Sequence, residues 1–194
     1  MIRSMQRKFR KSRGFTLVEL MIVVAIVGIL AALAIYGVRK YMASAKSAEA
    51  KNSLGQLSKD ASGAYNREHM TAGVLADKGS AGVSNSICKK ATDTVPKTAA
   101  EIKGSKYQSA ATEWDGDDAN AGWTCLKFSM AEPQYYRYEY ATSVWAGKDG
   151  DKFEASAYGD LDGDGTESTF QIPGEVRDQR VVVSPTIKET LPDE

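Results

Sequence analysis

The sequence predicts an α+β chain. One long N-terminal helix, apolar in its first half and amphipathic in its second, packs on a C-terminal antiparallel β-sheet. Three observations carry this. Phe15 to Val38 is a run of 24 residues in which Glu19 is the only charge. Leu54, Leu57, Ala61 and Tyr65 recur at spacings of three and four, the period of a helix face. From Trp123 onward, short alternating runs are separated by turn residues, the period of strands.

The first segment, residues 1–14, is basic. It holds six lysines and arginines and no acid, whereas the other 180 residues hold 19 basic and 25 acidic ones. The formal net charge of zero therefore hides a net-acidic body. Such a body lacks the basic footprint that nucleic-acid binding needs, so no nucleic-acid partner is expected. One histidine, His69, and two cysteines leave no His-rich metal site and no four-cysteine zinc site. His69 is also the sole candidate base for a serine triad, and the head offers no further catalytic constellation. The protein is not expected to be an enzyme.

The second segment, 15–38, is long enough to cross a hydrocarbon core of about 30 Å. Basic residues before it place the N-terminus in the cytoplasm and the body on the far side of the membrane. A secretory signal would have a shorter core and a small-residue cleavage site, for which Ala43-Ser44-Ala45 is a poor match. A plain single-pass anchor explains neither of two features. Glu19 lies inside the apolar run, where a carboxylate costs roughly 2.5–3.5 kcal/mol and calls for a partner. Gly14-Phe15 sits where charge meets oil, and glycine leaves the peptide bond there open to a membrane protease.

The run Arg13-Gly14-Phe15-Thr16-Leu17-Val18-Glu19-Leu20-Met21-Ile22-Val23-Val24-Ala25-Ile26 resembles the class III signal of type IV pilins and type II secretion pseudopilins. The resemblance covers about residues 9–60. It implies a pilin-type α+β fold, cleavage after Gly14 by a prepilin peptidase and N-methylation of Phe15. It also implies assembly through Glu19 and Phe15, with further copies of the chain, membrane lipids and an inner-membrane pilus or secretion platform as partners. The leading expectation is a structural subunit of a type IV pilus, serving motility, adhesion or DNA uptake. It would reside in the inner membrane before assembly and in an extracellular filament afterwards. The alternative is a pseudopilin or minor pilin of a short periplasmic filament. One departure stands out: many family members have proline where this chain has Tyr36. Without a proline to remove a backbone donor, the helix is expected to run straighter there, with Gly28 and Gly37 as its remaining weak points.

The third segment, 39–68, continues the helix, and no proline occurs before Pro96. The fourth, 69–122, reads as a long loop rich in small and polar residues. Its Asp115-Gly116-Asp117-Asp118 cluster reads as a solvated turn. The fifth, 123–194, is the sheet and tail. Strands are expected over Trp123–Met130, around Tyr136–Tyr140, around Phe153–Ala157 and over Thr169–Ile172, as a meander. Val181–Val183 reads as an edge strand, and Lys188–Glu194 as a frayed end. The aromatic cluster of Tyr135, Tyr136, Tyr138, Tyr140 and Trp145 reads as sheet packing.

Cys88 and Cys125 face an oxidising compartment if the body lies outside the inner membrane, which favours a disulfide; two free buried thiols are the other reading. Asp160-Leu161-Asp162-Gly163-Asp164-Gly165 matches positions 1, 3, 5 and 6 of a calcium loop, and Thr166 could give a carbonyl. Position twelve is Gln171 rather than glutamate, and the flanks read as strands, so a plain hairpin turn competes. No cofactor is required by either function, and calcium at Asp160, Asp162 and Asp164 is the one candidate.

Overall fold

The computed structural model describes residues 14–67, 69–70, 83–143 and 148–192. The six basic residues of the leader, Trp145 and part of the 69–122 segment lie outside these. The described chain forms two compact units, one ending at Tyr41 and the other beginning at Met42. A single helix, α1 (Leu17–Tyr65), runs through both. It passes Gly28, Tyr36 and Gly37 without a break.

In the first unit, every α1 residue is exposed. Its large aliphatic side chains, from Leu17 to Val38, are 52–73% accessible. This stretch is the one helix among the described residues that is long and apolar enough to cross a membrane.

The second unit is built on the amphipathic half of α1. Ser47, Ala50, Leu54, Leu57, Ser58, Ala61, Ala64 and Tyr65 are its buried face. The serines among them donate their hydroxyls back to α1 carbonyls, so burial leaves no orphaned group. This stripe packs with a five-stranded antiparallel sheet. The strands are β3 (Arg137–Thr142), β4 (Lys152–Gly159), β5 (Ser168–Arg177), β6 (Arg180–Val183) and β7 (Lys188–Thr190). Order along the sheet is β3-β4-β5-β6, with β7 beside β6 on the same edge of β5. A two-stranded ladder of β1 (His69–Met70) and β2 (Val83–Ser84) stands apart.

Register sorts the core by size. Tyr138 faces Ala157, which faces Phe170; Tyr140 faces Ala155, which faces Ile172. Large and small side chains alternate across each row, which lets the layer interdigitate with α1. Two glycines complete the pattern. A methyl group at Gly159 would run into the Tyr136 ring, and one at Gly174 into the Phe153 ring. The expected aromatic cluster is thus core packing: Tyr136, Tyr138 and Tyr140 are buried, and burial pushes the Tyr136 hydroxyl up to about 12. Tyr135 is half-buried, with the Lys46 ammonium 4.5 Å and the Lys106 ammonium 4.6 Å from its ring centre.

Two expectations are corrected. Residues 123–130 do not form a strand. Gly122–Leu126 is a short helix, α2, ended by Lys127 at φ 60°. Trp123, Cys125, Leu126 and Phe128 are all buried, and these residues fall on both parities of an alternating strand, so a strand with one wet face cannot bury them. Asp117 accepts the amides of Trp123 and Thr92, which fixes the start of α2 and gives the acidic cluster a structural task. Nor does the tail fray from Lys188. β5 is ten residues long and β6 only four, so half of the β5 edge is left over. β7 fills it at Thr169–Gln171, and Glu189 pairs with Lys51 of α1 at 2.8 Å.

The 69–122 segment has a structural role as well. Val95 exchanges backbone hydrogen bonds with Tyr138, and Ala91 donates to Tyr140, which covers the open edge of β3. The buried Gln134 side chain donates to Val95 and Tyr136 carbonyls. Cys88 and Cys125 form a disulfide with Cα atoms 5.8 Å apart, tying this segment to α2 rather than to a strand. Arg67, just past α1, donates to the Cys125 carbonyl.

Two outcomes follow from this packing. The disulfide closes 37 residues of sequence separation, for which chain entropy gives roughly 3–4 kcal/mol. Replacing both cysteines with serine should lower the unfolding free energy read from denaturant melts by that amount, and wild type in reductant should match the variant. Glu49 on α1 accepts the Tyr135 amide at 2.8 Å. Burial raises its pKa above the ordinary glutamate value, against the Tyr135 amide and Lys106, which lower it. A raised folded pKa means the folded chain holds the proton more tightly than the unfolded one. Its contribution is therefore greatest below the ordinary value and falls as pH rises through the raised one. Stability of Glu49→Gln relative to wild type, read from urea melts, should increase across that window; a constant difference would remove Glu49 as the titrating group.

Candidate functional site

The start of α1 is held by a reciprocal capping box. The Thr16 amide and hydroxyl both donate to one Glu19 carboxylate oxygen, each at 2.8 Å. In return the Glu19 amide donates to the Thr16 hydroxyl at 3.3 Å. Thr16 precedes the first helical residue, Leu17, and Glu19 lies three residues on, the spacing of the T-x-x-E signature. The acid also sits at the positive end of the helix dipole. Glu19 was expected to need a partner, and the structure supplies a local one, Thr16, that the sequence reading passed over. The T-x-x-E pattern before an apolar run was the signal available for it. Gly14 and Phe15 precede the helix in non-helical, exposed backbone, with Phe15 90% accessible. The Gly14–Phe15 peptide bond is thus open to an incoming protein.

The aspartate loop follows β4. Asp160, Asp162 and Asp164 each offer an oxygen within 4.8 Å of the others. All three carboxylates are engaged by the loop itself. Asp160, which is buried, accepts the Gly163 and Gly165 amides at 2.7 and 3.0 Å. Asp162 accepts the Asp164 amide at 3.1 Å, and Asp164 accepts the Thr166 amide at 2.6 Å. The Thr166 amide holds the Asp164 carboxyl below its ordinary range, with Lys103 adding to the effect. Gly163 and Gly165 take φ of 82° and 100°, which only glycine adopts at no steric cost. Gln171, at position twelve, donates instead to Glu154 on the sheet at 2.8 Å. These bonds make the loop a self-capped turn; calcium takes six to eight oxygens, and Asp160, Asp162 and Asp164 are the carboxylates that would hold it here.

Residues 9–35 match the family model described as the prokaryotic N-terminal methylation motif. The match includes Gly14, Phe15, Thr16 and Glu19. The chain is similar to the type IV major pilin protein PilA of Myxococcus xanthus, 60% identical over 47 residues, which are 24% of this chain and 21% of that one. It is similar to the type IV major fimbrial protein FimA of Dichelobacter nodosus, 51% identical over 45 residues, 23% of this chain and 29% of FimA. The similarity to the fimbrial protein EcpC of Eikenella corrodens reaches into the head: 32% identity over 138 residues, 63% of this chain and 86% of EcpC. The chain belongs to the type IV pilin family. No solved structure matches this pilin. Its relatives are structural fimbrial proteins, and this pilin is a structural protein rather than an enzyme. The chain spans less than a third of the length of PilA and FimA, and of these three relatives EcpC is the one whose match extends past the first quarter of the chain.

One outcome tests the aspartate loop. Asp160→Ala removes the buried carboxylate that the Gly163 and Gly165 amides share and should cost about 1–3 kcal/mol, whereas Asp162→Ala, which is exposed and accepts one amide, should cost less. Equal losses in chemical denaturation would end the view that Asp160 organises the turn.

Proposed function

We propose that this pilin is cut after Gly14, methylated at Phe15 and polymerised through α1 into a type IV pilus. The observation that carries the proposal is Glu19, the one charge in an otherwise apolar, fully exposed helix half, five residues after an accessible Gly14. Hydrolysis by a prepilin peptidase would leave the six basic charges on the leader and a single ammonium on Phe15. That ammonium and the Glu19 carboxylate of a neighbouring subunit gain more as a pair than apart in a low-dielectric core. The contact joins two different surfaces, so it repeats without closing and builds a helical filament. The capping box keeps Glu19 satisfied until then. The basic leader supports insertion in the inner membrane with a cytoplasmic N-terminus. Assembly there would need a platform and an external energy source, since the chain carries no G-x-x-x-x-G-K phosphate loop.

N-terminal sequencing and intact mass of sheared surface material against the membrane fraction test this. An abundant sheared form beginning at methylated Phe15 is expected. The same mature form confined to the envelope would instead make the protein a pseudopilin or minor pilin, and an uncut chain in both fractions would end the processing reading.

Calcium is a secondary proposal, supported by the three convergent oxygens of Asp160, Asp162 and Asp164. An ion would have to recruit carbonyls or water beyond these. Binding requires a calcium-dependent rise in Tm that Asp162→Asn abolishes; melts that coincide in calcium and in chelator end it.

A further inference from the structure

We infer that Tyr36, Arg39, Lys40 and Tyr41 form a girdle that docks in the headgroup layer of a phospholipid bilayer and sets the depth at which Glu19 sits. This rests on the reading of α1 as membrane-resident before assembly.

The first observation is chemical. Tyr36 and Tyr41 are 71% and 76% accessible, and Arg39 and Lys40 are exposed beside them. An aromatic ring with a polar tip suits the boundary between oil and headgroups, and cations there meet anionic phosphates. No aromatic residue lies between Phe15 and Tyr36, and no charge lies between Glu19 and Arg39.

The second is angular. At about 100° per residue, Arg39 and Lys40 flank Tyr36 at about 60° on one side and about 40° on the other, and Tyr41 lies about 140° round. Four interfacial side chains therefore cover more than half of the helix circumference within one and a half turns. A face built to dock on one neighbouring helix would occupy a narrower arc.

The third is length. α1 is helical without interruption between its cap and this girdle. Thr16 and Tyr36 are twenty residues apart, about 30 Å along a helix and about the thickness of the hydrocarbon core. With Tyr36 at one boundary, Thr16 falls at the other, and Glu19 lies about 4–5 Å inside it. A shift of one turn in either direction would move Glu19 into water or bury it more deeply. The girdle therefore holds the acid within reach of the interface, where a carboxylate is less costly than at mid-membrane.

The test uses the full chain in liposomes of phosphatidylethanolamine and phosphatidylglycerol, with its native disulfide oxidised. Ala34→Cys, Val38→Cys and Met42→Cys are introduced singly and labelled with a membrane-impermeant maleimide. In the otherwise wild-type chain, Ala34→Cys should be protected, and Val38→Cys and Met42→Cys should react. Adding Tyr36→Leu and Tyr41→Leu should move the boundary about one helical turn towards the C-terminus, so that Val38→Cys becomes protected. Adding Tyr36→Trp and Tyr41→Trp should leave it in place. An unmoved boundary with leucine overturns the girdle and hands these residues to packing between subunits. Release of the wild-type chain from liposomes by alkaline carbonate overturns the membrane-resident reading, and the girdle with it.

Discussion

The head depends on one packing relation: a helix stripe of Leu54, Leu57, Ala61 and Ala64 against a sheet whose inner face alternates aromatic and small residues. α1 is the only long helix among the described residues, so no second helix can replace its apolar face. Burying each leucine side chain is worth roughly 1.5–3 kcal/mol. Glycines at 159 and 174 make room for Tyr136 and Phe153, and without that room the sheet could not present a level face to the helix. The other devices serve the same layer. Val95 and Ala91 cover the β3 edge, the disulfide anchors the segment that carries them, and β7 fills the vacant part of the β5 edge. The tie between Lys51 and Glu189 joins two groups that are each about a third exposed, so its share is small beside the apolar contacts.

The first half of α1 follows the opposite rule. Among the described residues nothing buries it, and its stability in water would be poor. Its apolar surface calls for a bilayer or other helices of its kind, and in the proposed assembly the energetic term that would drive it from one to the other is packing, since both surroundings are apolar. Under that constraint a charge is the one group that can distinguish the two surroundings. In the proposed membrane-resident state Glu19 would be tolerable because Thr16 satisfies one of its oxygens and the helix dipole favours its charge. The other oxygen has no such claim on it, which leaves capacity for an ammonium.

How much of this was legible in the sequence divides along physical lines. The apolar run, the helix stripe and the strands around Tyr138, Ala155 and Phe170 were legible, because each follows a period that one buried face imposes. Residues 123–130 misled because apolar side chains on both parities can be read as a strand, and the helix is chosen from outside the run, by the Asp117 cap just upstream and by the disulfide partner 37 residues away. β7 was missed because Lys188-Glu189-Thr190 carries no apolar signal; its pairing comes from the free edge of β5. Thr16 was readable from T-x-x-E and was overlooked beside the more conspicuous acid. The aspartate loop could be placed but not interpreted from spacing alone. What spacing does not give is which amides the carboxylates accept and that Gln171 donates to Glu154, and both depend on the folded register.

Helix continuity at Tyr36 ties the outer boundary to Glu19. A proline inside the span would remove an amide donor and leave a carbonyl unpaired where no water can reach it. Here every residue from Leu17 to Tyr65 keeps the helical pattern, so the distance from Thr16 to Tyr36 is set by helix rise alone. A rigid rod transmits position: fixing the depth of one end fixes the depth of the other. A kinked rod would let Glu19 drift relative to the outer interface by changing its bend. An unbroken helix thus makes the outer boundary residues relevant to an acid twenty-five Ångströms away, roughly, by rise per residue, and it does so without any contact between them.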